Sequence, residues 1–223
     1  MIHAKDAHAL VAMADVDVKK MTKNNIKFDS FDIKLKEYAK ENSVPIIQDE
    51  GLSFLLNAIK LKHPKVILEV GCAIAYSSIM MAKASDAIIY TIERDPKMYE
   101  EAKKNVKEAG LENRINIIFC DALEAFDYVK DIKIDMLFID AAKAQYTKFF
   151  EIYTKNLADD GIVICDNMLF HGMVLNEDLS SMSRSVRGLV RKLNNFHEFL
   201  LNNDSYDTSI YDIGDGMSIS IKK

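Results

Sequence analysis

Residues 66–82 read VILEVGCAIAYSSIMMA. A short apolar run, a turn of small residues and a second apolar segment follow one another, which is the strand–turn–helix unit of an α/β fold. The pattern repeats outward from it. KVILEV (65–70), AIIYTI (87–92), INIIFC (115–120), IDMLFI (134–139) and GIVICD (161–166) alternate with longer amphipathic stretches. Runs apolar at every position suit strands of a parallel sheet covered by helices on both faces. The expectation is a doubly wound α/β domain, whose ligands gather at the carboxyl ends of the strands. At the chain's end, TSIYDIGDGMSISIKK alternates apolar and polar residues around Asp215-Gly216, a hairpin pattern.

Upstream of residue 63 the reading is helical. FDIKLKEYAKEN (31–42) is amphipathic, and DEGLSFLLNAIKLK (49–62) follows, with Asp49 or a neighbour as its N-cap. VPII joins them as an extended connector, because Pro45 biases Val44 away from helix. Residues 1–62 thus form an N-terminal helical extension packed on a core of residues 63–223, one domain overall. A chain of 223 residues can bury a substantial core. No apolar run approaches the ~20 residues of a membrane span, and the start lacks a basic leader. Cys72, Cys120 and Cys165 show no metal spacing and read as reduced core thiols. These features point to the cytoplasm. The net charge of −5 argues against indiscriminate nucleic-acid binding while leaving room for a local basic patch.

The strand ends carry the polar residues of interest. After the first strand comes Gly71, with Ser77 and Ser78 opening the helix, where a ligand's negative group is favoured. The second strand ends in Glu93, about 20 positions on, where an acidic residue hydrogen-bonds a ribose diol in nucleotide-binding units; the bland alternative is a solvated charge before Asp95-Pro96. At the third stand Asp121 and Ala122, where Asp121 serves either an adenosine or merely an N-cap. Asp140 ends the fourth, and Asp166 and Asn167 end the fifth. Two carboxylates and an amide oxygen on neighbouring strands suit a hard cation such as Mg2+, which keeps positions open for water and substrate; a plain turn at Asp166-Asn167 is the alternative. Lys143 stands three positions beyond Asp140. A cation in the first turn of a helix is mildly unfavourable, so its placement points to chemistry.

Taken together, LEVGCAIAYSS, YTIERDP, CDAL, FIDAAKAQY, DNMLFHGMV and the final GDGMSISIK resemble the cation-dependent O-methyltransferases, the group of catechol and caffeoyl-coenzyme A O-methyltransferases. Within it the chain is most similar to bacterial enzymes that methylate 5-hydroxyuridine in tRNA, which share the VPI connector. The resemblance implies the seven-stranded sheet of class I methyltransferases, closed by an antiparallel hairpin. It implies S-adenosylmethionine as methyl donor, held by Ile47, Glu69, Gly71, Ser77, Glu93, Asp121, Ala122 and Asp140. Related sequences usually carry a second glycine where this chain has Ala75. Mg2+ or Mn2+ would bind Asp140, Asp166 and Asn167. Lys143, with Asp140 as the other catalytic residue, would take the acceptor's proton or stabilise its oxyanion.

The acceptor is less constrained. Arg184, Arg187 and Arg191 share a helix face with Lys192 adjacent, a pattern that holds an RNA backbone or serves as a solvated face or dimer contact. Ala141-Ala142 stands where the animal catechol enzymes carry bulkier residues, implying an opening wide enough for a nucleotide. The expectation is methylation of 5-hydroxyuridine in the tRNA anticodon loop, with catechol-like small molecules as the alternative and a homodimer as the assembly. Two further readings carry less. A nicotinamide-dependent oxidoreductase leaves the fourth and fifth strand ends unexplained, and a nonenzymatic RNA- or partner-binding module leaves them without a use. His171 is read as a rim residue and left aside.

Overall fold

A computed structural model describes residues 26–175 and 178–223. The helical reading of residues 1–25 lies outside the described residues.

Seven strands form one sheet in the order β3-β2-β1-β4-β5-β7-β6. They are β1 (Val66–Val70), β2 (Ile88–Glu93), β3 (Ile115–Phe119), β4 (Ile134–Ile139), β5 (Leu157–Cys165), β6 (Tyr206–Tyr211) and β7 (Met217–Lys222). The first five pair in parallel, and β7 runs antiparallel between β5 and β6. The order reverses at β1, so the crevice beyond β1 and β4 is the topological switch point at which α/β sheets bind ligands.

Alternation along the buried strands divides the core into two layers. Ile67, Met136, Phe138, Ile162 and Ile164 face one side, and Leu68, Val70, Leu137, Ile139, Val163 and Cys165 face the other. On the first side pack α1 (Ser30–Glu41), α2 (Asp49–Lys62), α3 (Tyr76–Ala84) and α4 (Pro96–Glu108), and on the second α5 (Tyr146–Tyr153) and α6 (Arg184–Leu201). Sequence signals set the helix starts. Asp29 and Asp32 form a reciprocal capping box at α1, Asp95 caps α4 ahead of Pro96, and Ser183 caps α6. The N-cap of α2 is Gln48, without a side-chain bond. Asp49 instead occupies the first turn, where its charge suits the helix dipole, and Lys36 donates to it at 2.6 Å. Among the described residues, no helix is long and apolar enough to cross a membrane.

Candidate active site

A cleft of about 320 Å³ opens at the carboxyl ends of the parallel strands. Its floor begins at the β1–α3 turn. Gly71 has φ +102°, and a Cβ there would stand 2.0 Å from the Asp140 carbonyl oxygen. Only glycine lets the ends of β1 and β4 approach this closely, so part of the constraint on Gly71 comes from the fold itself. Ala75 adopts φ 64°, in the left-handed region, so the backbone shape usually given to a glycine persists with a Cβ present. The buried Asn105 of α4 donates to the Ile74 carbonyl at 3.0 Å and steadies the turn from behind.

Glu69 lies apart from the cleft. It is fully buried, and its carboxylate accepts hydrogen bonds from the hydroxyls of Ser77, Ser78 and Thr91. Burial raises its pKa to about 7 against the pull of those three donors. The direct cofactor contact expected of Glu69 therefore has no surface to occur on. Ser77 lines the cleft while its hydroxyl points back to Glu69, and Ser78 sits wholly inside. These three residues tie α3 to the sheet and fix the direction of the helix's first turn.

The expected nucleoside end is assembled from β2 and β3. Glu93 Oε2 accepts from the Ala73 N–H at 2.7 Å, and Oε1 from the Arg94 and Asp95 N–H groups at 2.8 Å. Asp121 accepts from the Leu123 N–H and from Arg94 Nη1, both at 2.9 Å. The first of these bonds and then Arg94 hold its carboxyl below the usual carboxylate range. The local-turn and ligand readings of Asp121 thus coexist, since it makes the turn bond and also lines the cleft. Ala122 and, from the α1–α2 connector, Ile47 line it too.

At the other end the structure brings together Asp140, Asp166, Asn167 and Lys143. Main-chain bonds from Asp140 N to Val70 O (2.9 Å) and from Asp166 N to Ile139 O (3.1 Å) lock the two acidic positions to neighbouring strands. Asn167 has φ 56°, a strained shape that asparagine tolerates better than most residues, and such strain concentrates at functional positions. Its Oδ1 accepts from Lys143 Nζ at 2.8 Å. Lys143 opens a short 3-10 turn, Lys143–Gln145, and α5 begins only at Tyr146, so the lysine precedes the helix whose first turn it was expected to occupy. Both carboxyls are pushed above their ordinary range, chiefly by burial; the Asp140 charge adds to the effect on Asp166, and Lys143 opposes both.

A buried carboxylate, Asp166, and a half-buried one, Asp140, beside one neutral amide oxygen form an all-oxygen donor set with a deficit of positive charge, which fits a divalent cation with few protein ligands. Among the described residues, no three His, Cys, Asp or Glu side chains converge as a metal cage. The oxygen donors at Asp140, Asp166 and Asn167 differ from the sulfur and nitrogen ligands typical of zinc.

Other residues at the cleft had weaker signals. Arg94, Cys120, Gln145 and Phe149 line it; Arg94 adjoins Glu93, and Cys120, read from the sequence as a core thiol, is only half-buried and faces the cleft beside Asp121. His171 is exposed, as expected of a rim residue. The segment after Asn167 is clamped by the hairpin turn: Met168 N donates to Gly216 O, Leu169 N to Asp215 O, and His171 N to the Asp215 carboxylate. Arg184, Arg187, Arg191 and Lys192 are all exposed on α6, whose other face packs Val190, Leu193 and Phe196 inward. This helix packs directly on the 3-10 turn carrying Lys143.

Residues 23–223 match the family model described as O-methyltransferase. The chain belongs to the O-methyltransferase family. It is 32% identical to a catechol O-methyltransferase of Niastella koreensis over 81% of this chain and 83% of that protein. Among solved structures, a Staphylococcus aureus protein provisionally described as a caffeoyl-CoA O-methyltransferase is 40% identical, with a TM-score of 0.83 over 96% of this chain and 100% of that one. The O-methyltransferase TomG of Streptomyces achromogenes, solved with S-adenosylmethionine, shares the fold at 24% identity and a TM-score of 0.78, covering 94% of this chain and 96% of its own. The chain is accordingly an S-adenosylmethionine-dependent O-methyltransferase, with its parallel sheet and closing hairpin in the arrangement the sequence led us to expect.

Proposed function

We propose that this enzyme transfers a methyl group to one of two adjacent oxygens, with Asp140, Asp166 and Asn167 holding a divalent cation, and that its acceptor is 5-hydroxyuridine in tRNA. The observation carrying the acceptor is the basic face of α6. Arg184 lies in the first turn of that helix, where the dipole disfavours a cation, so helix stability does not account for it. Four exposed cations on an element that packs against the Lys143 turn give phosphates a track leading to the reacting end of the cleft.

Bound at Asp140, Asp166 and Asn167, Mg2+ would supply a Lewis acid that lowers the pKa of the acceptor hydroxyl. The chain's own residues do the rest. Gly71, Glu93, Asp121, Ala122 and Ile47 hold the donor along the strand ends. Asp140 is placed where the cofactor and cation ends of the cleft meet. Lys143, within reach of Asn167, takes the acceptor's proton or stabilises the resulting oxyanion. Ala141 and Ala142 line the cleft with small side chains, leaving width for a pyrimidine extruded from a single-stranded loop.

A second reading has its own support. The relatives are named for catechol and caffeoyl-CoA substrates, so a small vicinal diol is the competing acceptor. Methyl transfer from labelled donor to hydroxyuridine-containing tRNA and to catechol, with and without chelator, separates the two. Efficient catechol methylation with untouched tRNA would remove the tRNA reading. Undiminished transfer in chelator would remove the cation. In a strain lacking the gene, nucleoside mass spectrometry should show accumulated 5-hydroxyuridine.

A further inference from the structure

The carboxamide oxygen of Asn167 has two claims on it. Lys143 Nζ already donates to it at 2.8 Å, and the same oxygen belongs to the set offered to a divalent cation. Asp166, which is buried, accepts from the Asn167 N–H at 2.6 Å, and the half-buried Asp140 lines the same cleft. Lys143 lines that cleft together with Asp140, Asp166 and Asn167, so its ammonium shares one pocket with both carboxyl groups. An ammonium held at this point supplies much of the compensation that a metal would. The side chain also has a second resting surface, because the Phe170 ring centroid lies 5.8 Å from Nζ; a cation against an aromatic face keeps favourable electrostatics after losing a hydrogen bond.

We propose that Lys143 is the built-in counter-ion of the Asp140–Asp166 pair, and that its ammonium competes with a divalent cation for the Asn167 oxygen. The inference rests on reading Asp140, Asp166 and Asn167 as metal ligands. It makes the lysine's freedom depend on the state of the site: bonded to Asn167 it is engaged as a counter-ion, and displaced toward Phe170 its ammonium is free to face an acceptor oxyanion. Loading of the site and release of the lysine from Asn167 are then one event. Two cations at close range in a poorly solvated pocket repel strongly, and because the coupling is reciprocal, removing one must favour the other.

The test is direct binding of Mn2+ to the full chain without methyl donor or acceptor, followed by the paramagnetic signal of free Mn2+. Lys143→Met should bind Mn2+ about tenfold tighter than the wild type, on the order expected for deleting one nearby like charge. Lys143→Gln keeps a donor for Asn167 without the charge and should tighten as well, and it covers the case in which the methionine variant folds poorly. Lys143→Arg, which keeps the charge, should remain close to the wild type. Equal or weaker binding by the two neutral variants overturns the counter-ion role while leaving the metal ligands standing. No binding by any of the four proteins overturns both the inference and the cation reading beneath it.

Discussion

Glu69 and Gly71, two residues apart, show how one sequence position serves fold and site together. The Glu69 carboxyl titrates near 7 in the fold against an ordinary value of 4.5, because burial disfavours its anion. Its folded pKa lies above its unfolded one, so the native state binds more protons and stability falls as pH rises between about 4.5 and 7. A shift of this size corresponds to roughly 3 kcal/mol. Glu69→Gln should remove that contribution: in urea titrations at a series of pH values, the difference between variant and wild type should grow in the variant's favour across this window and level off above it. A difference that does not vary with pH would mean that Glu69 is ionised in the fold. At Gly71 the constraint is steric. The Cβ of Gly71→Ala would lie 2.0 Å from Asp140 O at a backbone angle that side chains rarely adopt, so the ends of β1 and β4 must part. A loss above about 3 kcal/mol is expected by chemical denaturation, together with loss of methyl transfer, since Asp140 moves with the strand end.

At the level of elements, the sequence revealed position better than direction. Strand ends at Glu93, Asp140 and Asp166 were legible because apolar runs stop abruptly at charges, and the structure gathers those ends around one cleft. What Glu69 does was not legible. The family resemblance assigned this carboxylate to the cofactor, whereas the three hydroxyls that satisfy it come from α3 and β2, a convergence no local pattern encodes. Likewise Asp215-Gly216 announced a turn, but not that this turn would grip the segment beyond Asn167; a Cβ on Gly216 would stand 2.7 Å from Leu169 N. The basic face of α6 was visible from its spacing, while its packing on the Lys143 turn was not. That contact gives the face a testable consequence. Arg187→Glu should weaken tRNA binding and lower its salt slope by about 1–2, as fits one phosphate contact replaced by a repulsion. Affinity for S-adenosylhomocysteine should stay unchanged, because the residues placed at the nucleoside end stand at the end of β2 and just beyond β3. A salt slope equal to the wild type's would detach the helix from RNA recognition.

For the molecule as a whole, the division at residue 62 marks a change of pattern and not a boundary between independently stable parts. Leu35, Ile47, Leu52, Leu55 and Ile59, all upstream of that point, are at most 4% exposed and belong to one apolar cluster with Ile67, Ile79, Met80 and Phe138. The α1–α2 connector also supplies a wall of the cleft, and Gly214 of the hairpin turn approaches Gly51 of α2 so closely that a Cβ would lie 3.2 Å from its N–H nitrogen. Burying each large aliphatic side chain is worth about 1.5–3 kcal/mol. The five together amount to roughly 7–15 kcal/mol, which is comparable with the entire net stability of a typical domain, about 5–15 kcal/mol. A chain trimmed to residues 63–223 would expose the facing half of that cluster and lose part of the cofactor wall. The full chain should therefore unfold in a single cooperative transition that shifts upward with S-adenosylhomocysteine. The trimmed chain should show no such transition and bind no cofactor, as judged by calorimetric unfolding with and without that ligand. A trimmed chain that melts cooperatively and still responds to S-adenosylhomocysteine would make residues 26–62 an accessory layer, with both the core and the methyl-donor site complete without them.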